Sequence, residues 1–276
     1  MTLQSAPRSR QRMRTGIALG LVGAAVLFGV SGCAAWRLAQ ARELAQRSEP
    51  FSQFPAVPSM RLLIVGDSTA VGTGASSPQA SLAGLIARDH PQWLIDNRGQ
   101  DGALFADVVR QLAIDEHYDM VLVLAGGNDV IRMRDRDAMR ADIDRMASAA
   151  AARAPVVLLM PSGNVGNAPF FFPPVSWLMT SRSRALHDFV ALSAARSGFV
   201  YVDLFRERST DPFVADRSLN ASDGLHPSDA GYRNWWAELQ RQAALARQPA
   251  KAEVPRPMNH SSKGDVNEHT GYRRIA

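Results

Sequence analysis

The chain has 276 residues, of which 46% are hydrophobic and 21% charged, as is usual for a globular protein. Its formal net charge is +5, but four arginines in the first 32 residues, where no acid occurs, leave only +1 for the rest. The charge distribution therefore excludes a basic nucleic-acid-binding surface on the main part of the chain. The length allows one large domain or two small ones.

The N-terminus has the pattern of an export signal. A basic stretch to Arg14 precedes the uncharged segment Gly16–Gly32, and the only cysteine, Cys33, ends the tetrapeptide Val-Ser-Gly-Cys. This tetrapeptide resembles a bacterial lipobox, in which cleavage leaves a lipid-modified cysteine. The alternative is an uncleaved transmembrane anchor, because Thr15 to Trp36 spans about 22 residues. A buried core helix is disfavoured, since the segment has no polar face.

Both interpretations predict that residues 1–36 hold the protein at the membrane, with the rest of the chain extracytoplasmic in a bacterial cell envelope. With one cysteine in the whole chain, no internal disulfide is expected. Residues 37–60 are predicted to be a tether, with a helix-prone part from Leu38 to Arg47. Residues 248–276, which have scattered charges and no apolar periodicity, are predicted to be a disordered tail.

Residues 61–247 alternate between strand-like and helix-like patterns. Continuous apolar runs predict buried strands at Leu62–Val65, Trp93–Asp96, Met120–Ala125, Val156–Met160 and Phe199–Val202. Helices are predicted between them, at about Gln79–Arg88, Leu104–Glu116, Arg136–Ala152, Ser181–Ser197 and Ser228–Ala246. Five strands separated by helices predict one doubly wound α/β domain with a parallel sheet. Reactive residues collect at the carboxyl ends of such strands.

Ser68 is the candidate nucleophile, because it ends the run Arg61-Leu-Leu-Ile-Val-Gly-Asp-Ser68 just after a predicted strand. A hydroxyl needs a base to take its proton, and the base needs an orienting partner. Of the six histidines, His226 alone lies in a turn before a helix with a carboxylate, Asp223, three residues upstream. His226 is therefore the candidate base and Asp223 its orienting partner.

Two glycine-containing turns supply candidate donors for an oxyanion. Asn128 follows the strand predicted to end at Ala125, and its side-chain amide is one candidate. The backbone N–H groups of Ser68 and Gly102 are the others, with Gly99 as the alternative to Gly102. No cofactor is expected: the chain has no histidine pair at metal-ligand spacing, and Gly72-Thr-Gly74 is too short to be a dinucleotide-binding motif.

An aromatic insert, Pro161 to Met179, is too long and too rich in proline for a simple connection. Its aromatic side chains are Phe170, Phe171, Phe172 and Trp177. They are candidates for lining an apolar substrate pocket, and they also suit a surface that rests on a membrane. A third interpretation is that they fill the core beneath the loop.

Together these segments resemble the four sequence blocks of the SGNH (GDSL-type) hydrolases. The matching segments are Gly66-Asp-Ser68, the Gly102 turn after Asn97, Gly126-Gly-Asn-Asp129 and Asp223-Gly-Leu-His226. The resemblance implies a flavodoxin-like three-layer α/β/α sandwich. It also implies Ser68 as nucleophile, His226 as base and Asp223 as its partner, with Ser68, Gly102 and Asn128 forming the oxyanion hole. One departure is Thr69, where the best-known form of the first block has leucine.

The sequence thus predicts a membrane-tethered serine ester hydrolase that forms an acyl-serine intermediate. The aromatic insert favours acyl or lipid esters as substrates, and the envelope location makes acetyl esters of glycans the next candidate. An acyltransferase acting on envelope glycans is chemically adjacent. A lipoprotein that binds ligands on an inactive hydrolase fold is the alternative from another functional class.

Overall fold

The computed structural model describes residues 36, 37 and 39–246. Cys33, the predicted signal or anchor segment and the predicted C-terminal tail lie outside the described residues. Within that range, no helix is both long enough and apolar enough to cross a membrane.

The centre of the fold is a parallel β-sheet. Its strands are β1 (Met60–Gly66), β2 (Trp93–Asn97), β3 (Met120–Leu124), β4 (Val156–Leu159) and β5 (Val200–Tyr201). They lie in the order β2-β1-β3-β4-β5, and every pair is parallel. This is the flavodoxin-like order, and it confirms the predicted doubly wound α/β fold. The chain reverses its direction of winding between β1 and β3, where such folds open a crevice at the carboxyl ends of the strands.

The helices connect these strands and cover both faces of the sheet. They are α1 (Ser68–Val71), α2 (Leu82–Asp89), α3 (Phe105–Gln111), α4 (Gly127–Ile131), α5 (Arg136–Ala151), α6 (Val175–Ser197), α7 (Pro212–Ala215) and α8 (Asp229–Ala246). Two bounds differ clearly from the sequence prediction. Helix α6 begins six residues earlier than expected, directly after Pro174, which is its N-cap. Helix α3 ends five residues earlier, after Gln111, because Ile114 turns back onto the core.

Alternating side chains of the strands build two apolar layers. In β1, Leu63 and Val65 face the layer formed with α3, α5 and α6, whereas Leu62 and Ile64 face the layer formed with α2 and α8. These four side chains are at most 1% exposed. A sheet buried on both faces explains why the strands appear in the sequence as continuous apolar runs.

The segment before β1 lies against this domain. Residues 39–47 are helical, with Ala41 buried, and Gln53 forms an antiparallel bridge with Ile95 of β2. The Ser59 N–H also donates to the Gln92 carbonyl, at 2.9 Å. The predicted tether is therefore packed along the domain at these positions.

Strand β1 ends at Gly66, a buried glycine packed closely against β3. At Gly66, with φ of +149°, an added Cβ would lie 1.8 Å from the Leu124 carbonyl oxygen of β3. The Gln111 side chain accepts from the Gly66 N–H at 2.7 Å and donates to its carbonyl at 2.9 Å. The next N–H, that of Asp67, donates to the Leu124 carbonyl at 2.8 Å. The exit of β1 is therefore fixed by β3 and α3 immediately before Ser68.

Gly66→Ala should lower the free energy of unfolding by about 3 kcal/mol or more, because it combines a backbone clash with an unfavourable φ. Gly198→Ala is the matched control: its φ is +70°, yet nothing lies within 4 Å of an added Cβ. That substitution should cost only about 1–2 kcal/mol. Urea unfolding of the two variants measures the difference, and equal losses would contradict the role assigned to Gly66.

A buried carboxyl joins α4 to α3. Asp129 is 0% exposed, and its Oδ2 accepts from the Phe105 N–H at 3.2 Å. Its Oδ1 has no hydrogen-bond partner within the described residues. Burial raises the pKa of Asp129 to about 7, and the neighbouring carboxylates of Asp67 and Asp142 add to the shift. Because unfolded aspartate titrates near pH 4, the folded state holds a proton between about pH 4 and 7 that the unfolded state releases.

The protein should therefore become less stable as the pH rises from about 4 to 7, because the folded state keeps the Asp129 proton that the unfolded state has already released. Asp129→Asn, which keeps the shape without the charge, should remove up to about 4 kcal/mol of that decline. Urea unfolding at several pH values between 4 and 7 tests this. A variant whose stability falls in parallel with that of the wild type would show that Asp129 is not the titrating group.

Candidate active site

Ser68 lies at the carboxyl end of β1, as the first residue of α1, and is half-buried. Asp67 caps this helix: its Oδ1 accepts from the Thr69 N–H at 2.9 Å and from the Thr69 hydroxyl at 2.7 Å. Thr69, the departure from the best-known first block, therefore holds the cap in place. The Ser68 N–H is bonded to no acceptor among the described residues. Both the hydroxyl and the N–H of Ser68 are thus available at the crevice.

Ser68, His226 and Asp223 form a continuous hydrogen-bonded chain. His226 Nε2 lies 3.0 Å from Ser68 Oγ, and His226 Nδ1 lies 2.6 Å from Asp223 Oδ2. Asp223 Oδ1 accepts from the backbone N–H groups of Leu225 and His226, at 2.9 and 3.1 Å. The structure therefore brings together the three residues that the sequence singled out. In this geometry an imidazole can take the serine proton while the carboxylate fixes its tautomer and stabilises its charged form.

The environment of Asp223 keeps its carboxyl ionised. The residue is 1% exposed, and burial alone would raise its pKa. The hydrogen bond and charge of His226, together with the two backbone N–H groups, outweigh that effect and hold the pKa below its ordinary value. A carboxylate that stays charged beside Nδ1 is the partner that a protonated imidazole requires.

The geometry distinguishes the two glycines considered as oxyanion donors. The Gly99 N–H donates to Asn97 Oδ1 at 3.0 Å, and an added Cβ at Gly99 would lie 2.8 Å from the Ala70 Cβ. Gly99 therefore serves the packing of its loop against α1. The Gly102 N–H is bonded to no acceptor in the described part of the chain. Gly102, with φ of +77°, is the better candidate.

Asn128 follows β3, the neighbour of β1, and is the second residue of α4. Its Nδ2 donates to the Ala103 carbonyl at 3.2 Å, one residue beyond Gly102. Since an amide group carries two N–H bonds, this contact fixes the side chain and leaves one donor for a ligand. Asn128 and Gly102 are thus joined at the same edge of the sheet.

Asn97 holds the loop after β2 and was not among the predicted site residues. Its side chain donates to the Ala70 carbonyl at 2.8 Å while accepting from the Gly99 N–H. It therefore ties the loop that leads to Gly102 to the helix that begins with Ser68. The signal in the sequence was an asparagine at the end of an apolar strand, where a side chain can satisfy backbone groups of two segments.

A cavity of about 150 Å³ opens beside Ser68, Asn128 and His226. Apolar side chains form part of its wall, among them Leu204, Phe213, Leu225 and Trp235. Polar side chains form the rest, among them Ser162, Asn164, Asn167, Arg206, Asp211, Asn220, Asn234 and Glu238. The volume is below the range of about 300–1,000 Å³ found for pockets that hold drug-sized ligands.

None of the four aromatic residues predicted to line the substrate pocket lines this cavity. Phe171, Phe172 and Trp177 border a second cavity, of about 420 Å³, which shares Asn167 and Ala168 with the first. Phe171 packs against the core, and Phe170 contacts Phe171 with ring centroids 4.9 Å apart. Phe172 and Trp177 are exposed. The insert is long enough to turn its aromatic side chains away from Ser68, which local sequence does not show.

No group of three or more His, Cys, Asp or Glu side chains within the described range could hold a metal ion.

Comparison with known proteins agrees with this geometry. The model of the GDSL-like lipase/acylhydrolase family matches residues 64–233. Among curated proteins, the comparison finds no match.

Solved structures with the same fold include three hydrolases. An alpha/beta hydrolase enzyme from the metagenome of Lake Arreo, Spain, has a TM-score of 0.55 at 17% identity, covering 70% of this chain and 98% of its own. A member of the lipolytic protein G-D-S-L family from Veillonella parvula has a TM-score of 0.53 at 15% identity, with coverages of 66% and 96%. A mutant acetyl-xylooligosaccharide esterase from Geobacillus stearothermophilus has a TM-score of 0.50 at 20% identity, with coverages of 67% and 94%.

At such identities, the likeness to these structures establishes the fold alone. The family match covers more than half of the chain and includes the segments of Ser68, Gly102 and Asn128 as well as that of Asp223 and His226. The chain therefore belongs to the GDSL-like lipase/acylhydrolase family and is a GDSL-type ester hydrolase.

Proposed function

We propose that this protein is a membrane-tethered, extracytoplasmic serine hydrolase that removes short acyl groups from polar alcohols, such as the hydroxyl groups of envelope glycans. The observation that carries the proposal is the hydrogen-bonded chain from Ser68 Oγ through His226 to Asp223. The N–H groups of Ser68 and Gly102, which have no acceptor among the described residues, support it.

In the proposed reaction, Ser68 Oγ attacks the ester carbonyl while His226 Nε2 takes its proton. The Ser68 and Gly102 N–H groups and the free N–H of the Asn128 amide bind the oxyanion. His226 then returns the proton to the departing alcohol, leaving an acyl group on Ser68. Water, activated by His226, releases the acid in the second half of the cycle. Asp223 stabilises the protonated His226 in both halves.

The cavity lining supports the substrate class. The preference for long acyl or lipid esters that the sequence suggested rested on the aromatic insert, and those side chains lie outside the cavity beside Ser68. Asn234 and the Ser162 hydroxyl, which lie in the wall, would supply hydrogen-bond donors and acceptors for the hydroxyl groups of a sugar. Lipid ester hydrolysis is the second candidate, because the aromatic cavity adjoins the first at Asn167 and Ala168.

The tether is supported by sequence. The basic residues before Gly16, the apolar segment to Gly32 and the position of Cys33 favour export and retention at the membrane. A location outside the cytoplasm places the site among envelope glycans and lipids.

Ser68→Ala should abolish ester turnover, because no other group in the proposed reaction replaces the nucleophile. The fold should be retained, since a half-buried hydroxyl at a turn contributes little to stability. A fluorophosphonate probe should label the wild type and not the variant. Equal labelling of both proteins would contradict the assignment of Ser68, and full activity in the variant would exclude the acyl-serine route.

Among p-nitrophenyl esters, kcat/KM should be highest for acetyl to butyryl and fall about tenfold or more by octanoyl, because extra methylene groups overfill a small cavity. Leu204→Ala, which removes a side chain from the cavity wall, should shift the preference towards longer chains. Leu192→Ala is the matched control, since Leu192 is 54% exposed and far along α6. A kcat/KM that rises steadily from acetyl to octanoyl would favour the lipid ester hydrolase instead.

A further inference from the structure

Exposed apolar side chains gather at the start of α6. Ten large hydrophobic residues of the described chain are exposed, and five of them form what we call the aromatic patch: Trp36, Phe172, Val175, Trp177 and Leu178. Trp177 is 68% and Phe172 57% exposed. The other five come from four separate segments of the chain. Scattered exposed apolar residues are ordinary on soluble proteins, whereas a cluster marks a contact surface.

The patch also includes the first described residues of the chain. The guanidinium of Arg37 lies 4.8 Å from the centroid of the Phe172 ring, and it donates to the Pro169 carbonyl. Trp36, the neighbour of Arg37, is thereby held at the same end of the molecule. Two separate segments, one next to the predicted membrane segment and one from the aromatic insert, therefore meet in a single surface.

Basic side chains border the patch. Arg208 and Arg217 line the second cavity together with Phe172 and Trp177. Neither arginine forms an ion pair within the described residues, whereas Glu207, the acid of this cavity, pairs with Arg184. Exposed tryptophan and phenylalanine side chains beside unpaired arginines are typical of a protein surface that lies in the interface of an anionic bilayer.

The sequence before the patch sets its distance from the membrane. Cys33, or the end of the apolar segment Gly16–Gly32, precedes Trp36 by only three or four residues. Even fully extended, three or four residues reach at most about 11–14 Å, so Trp36 lies within a few ångströms of the headgroup region, which is about 5–8 Å thick on each side of a bilayer. A lipid on Cys33 and an uncleaved anchor would both bring Trp36 to that region.

We propose that the aromatic patch docks onto the bilayer surface, with Phe172 and Trp177 in the headgroup layer and Arg208 and Arg217 on lipid phosphates. The inference rests on the tethering part of the proposed function and is independent of the ester that is cleaved. It gives the tethered enzyme a fixed orientation.

The proposed docking would also fix the position of the active site relative to the membrane. The Phe170 N–H donates to the Gly224 carbonyl at 2.9 Å, in the turn between Asp223 and His226. The second cavity, bordered by the patch, shares Asn167 and Ala168 with the cavity beside Ser68. The docked enzyme therefore presents its site to substrates close to the membrane.

The test uses the full chain reconstituted in vesicles of phosphatidylethanolamine and phosphatidylglycerol. Trp177→Cys and Leu192→Cys each receive an environment-sensitive fluorophore, and the lipids carry nitroxide quenchers near the headgroups. Both positions are exposed and lie on α6, about 22 Å apart along its axis. Quenching at position 177 should exceed that at position 192 about fivefold or more, since only the patch meets lipid. The wild type, treated in the same way, measures the fluorescence that labelling of Cys33 contributes. Labelling of each variant by a fluorophosphonate probe verifies that it is folded.

If the fluorophore at position 177 disturbs the fold, Val175→Cys provides a second labelling position in the patch, and its quenching should likewise exceed that at position 192. Arg208→Gln with Arg217→Gln should reduce quenching at position 177. Equal, weak quenching at 177 and 192 would overturn the docking proposal. Efficient crosslinking between the Trp177→Cys positions of two copies would identify a second copy as the occupant and overturn it too. Extraction of wild type by alkaline carbonate would instead show that the tether is wrong, and the docking inference would fail with it.

Discussion

The close approach of Gly66 to the Leu124 carbonyl is the constraint on which the site depends. Because residue 66 has no Cβ, β1 can end against β3 while the Gln111 side chain binds both of its peptide groups. The Gln100 N–H also donates to the Gly66 carbonyl, at 3.0 Å. Backbone hydrogen bonds thus join the segment of Ser68, the loop of Gly102 and the strand that leads to Asn128 at one point. The positions of nucleophile and oxyanion donors are set by this packing, before any substrate binds.

The pKa values of three buried carboxyls around this point shift in different directions. The Asp223 pKa is lowered, so its charge remains where His226 becomes protonated. Burial raises the pKa values of Asp67 and Asp129, the residues beside Ser68 and Asn128. A raised pKa makes a carboxyl easier to protonate, and that of Asp129, at about 7, lies near neutral pH. Hydrogen bonds and the charge of His226 therefore keep the Asp223 carboxylate available to a protonated imidazole, whereas burial limits the negative charge of Asp129, beside Asn128.

The sequence identified the strands, the winding of the sheet and the three residues of the hydrogen-bonded chain, because apolar runs and turn positions are local signals. It did not fix the start of α6, since Val175–Thr180 contains β-branched residues and follows two prolines. It preferred Gly102 to Gly99 as the donor, but it could not show the hydrogen bond from the Gly99 N–H to Asn97 Oδ1 that distinguishes them. The sequence also could not predict the direction of the aromatic side chains, because in a long insert it depends on contacts with distant residues such as Gly224 and Arg37.

The aromatic insert connects the turn of His226 with the first described residues of the chain. On one side, its backbone bonds to Gly224, where φ is +69° and an added Cβ would lie 3.2 Å from the Pro169 Cβ. On the other side, Phe172 meets Arg37 at the start of the described chain. Only Phe171 lies between these two contacts in the chain, so the insert links the turn of His226 directly to Arg37. Under the docking proposal, the exposed aromatic residues of the insert would therefore hold the cavity beside Ser68 close to the membrane surface, where the proposed substrates lie.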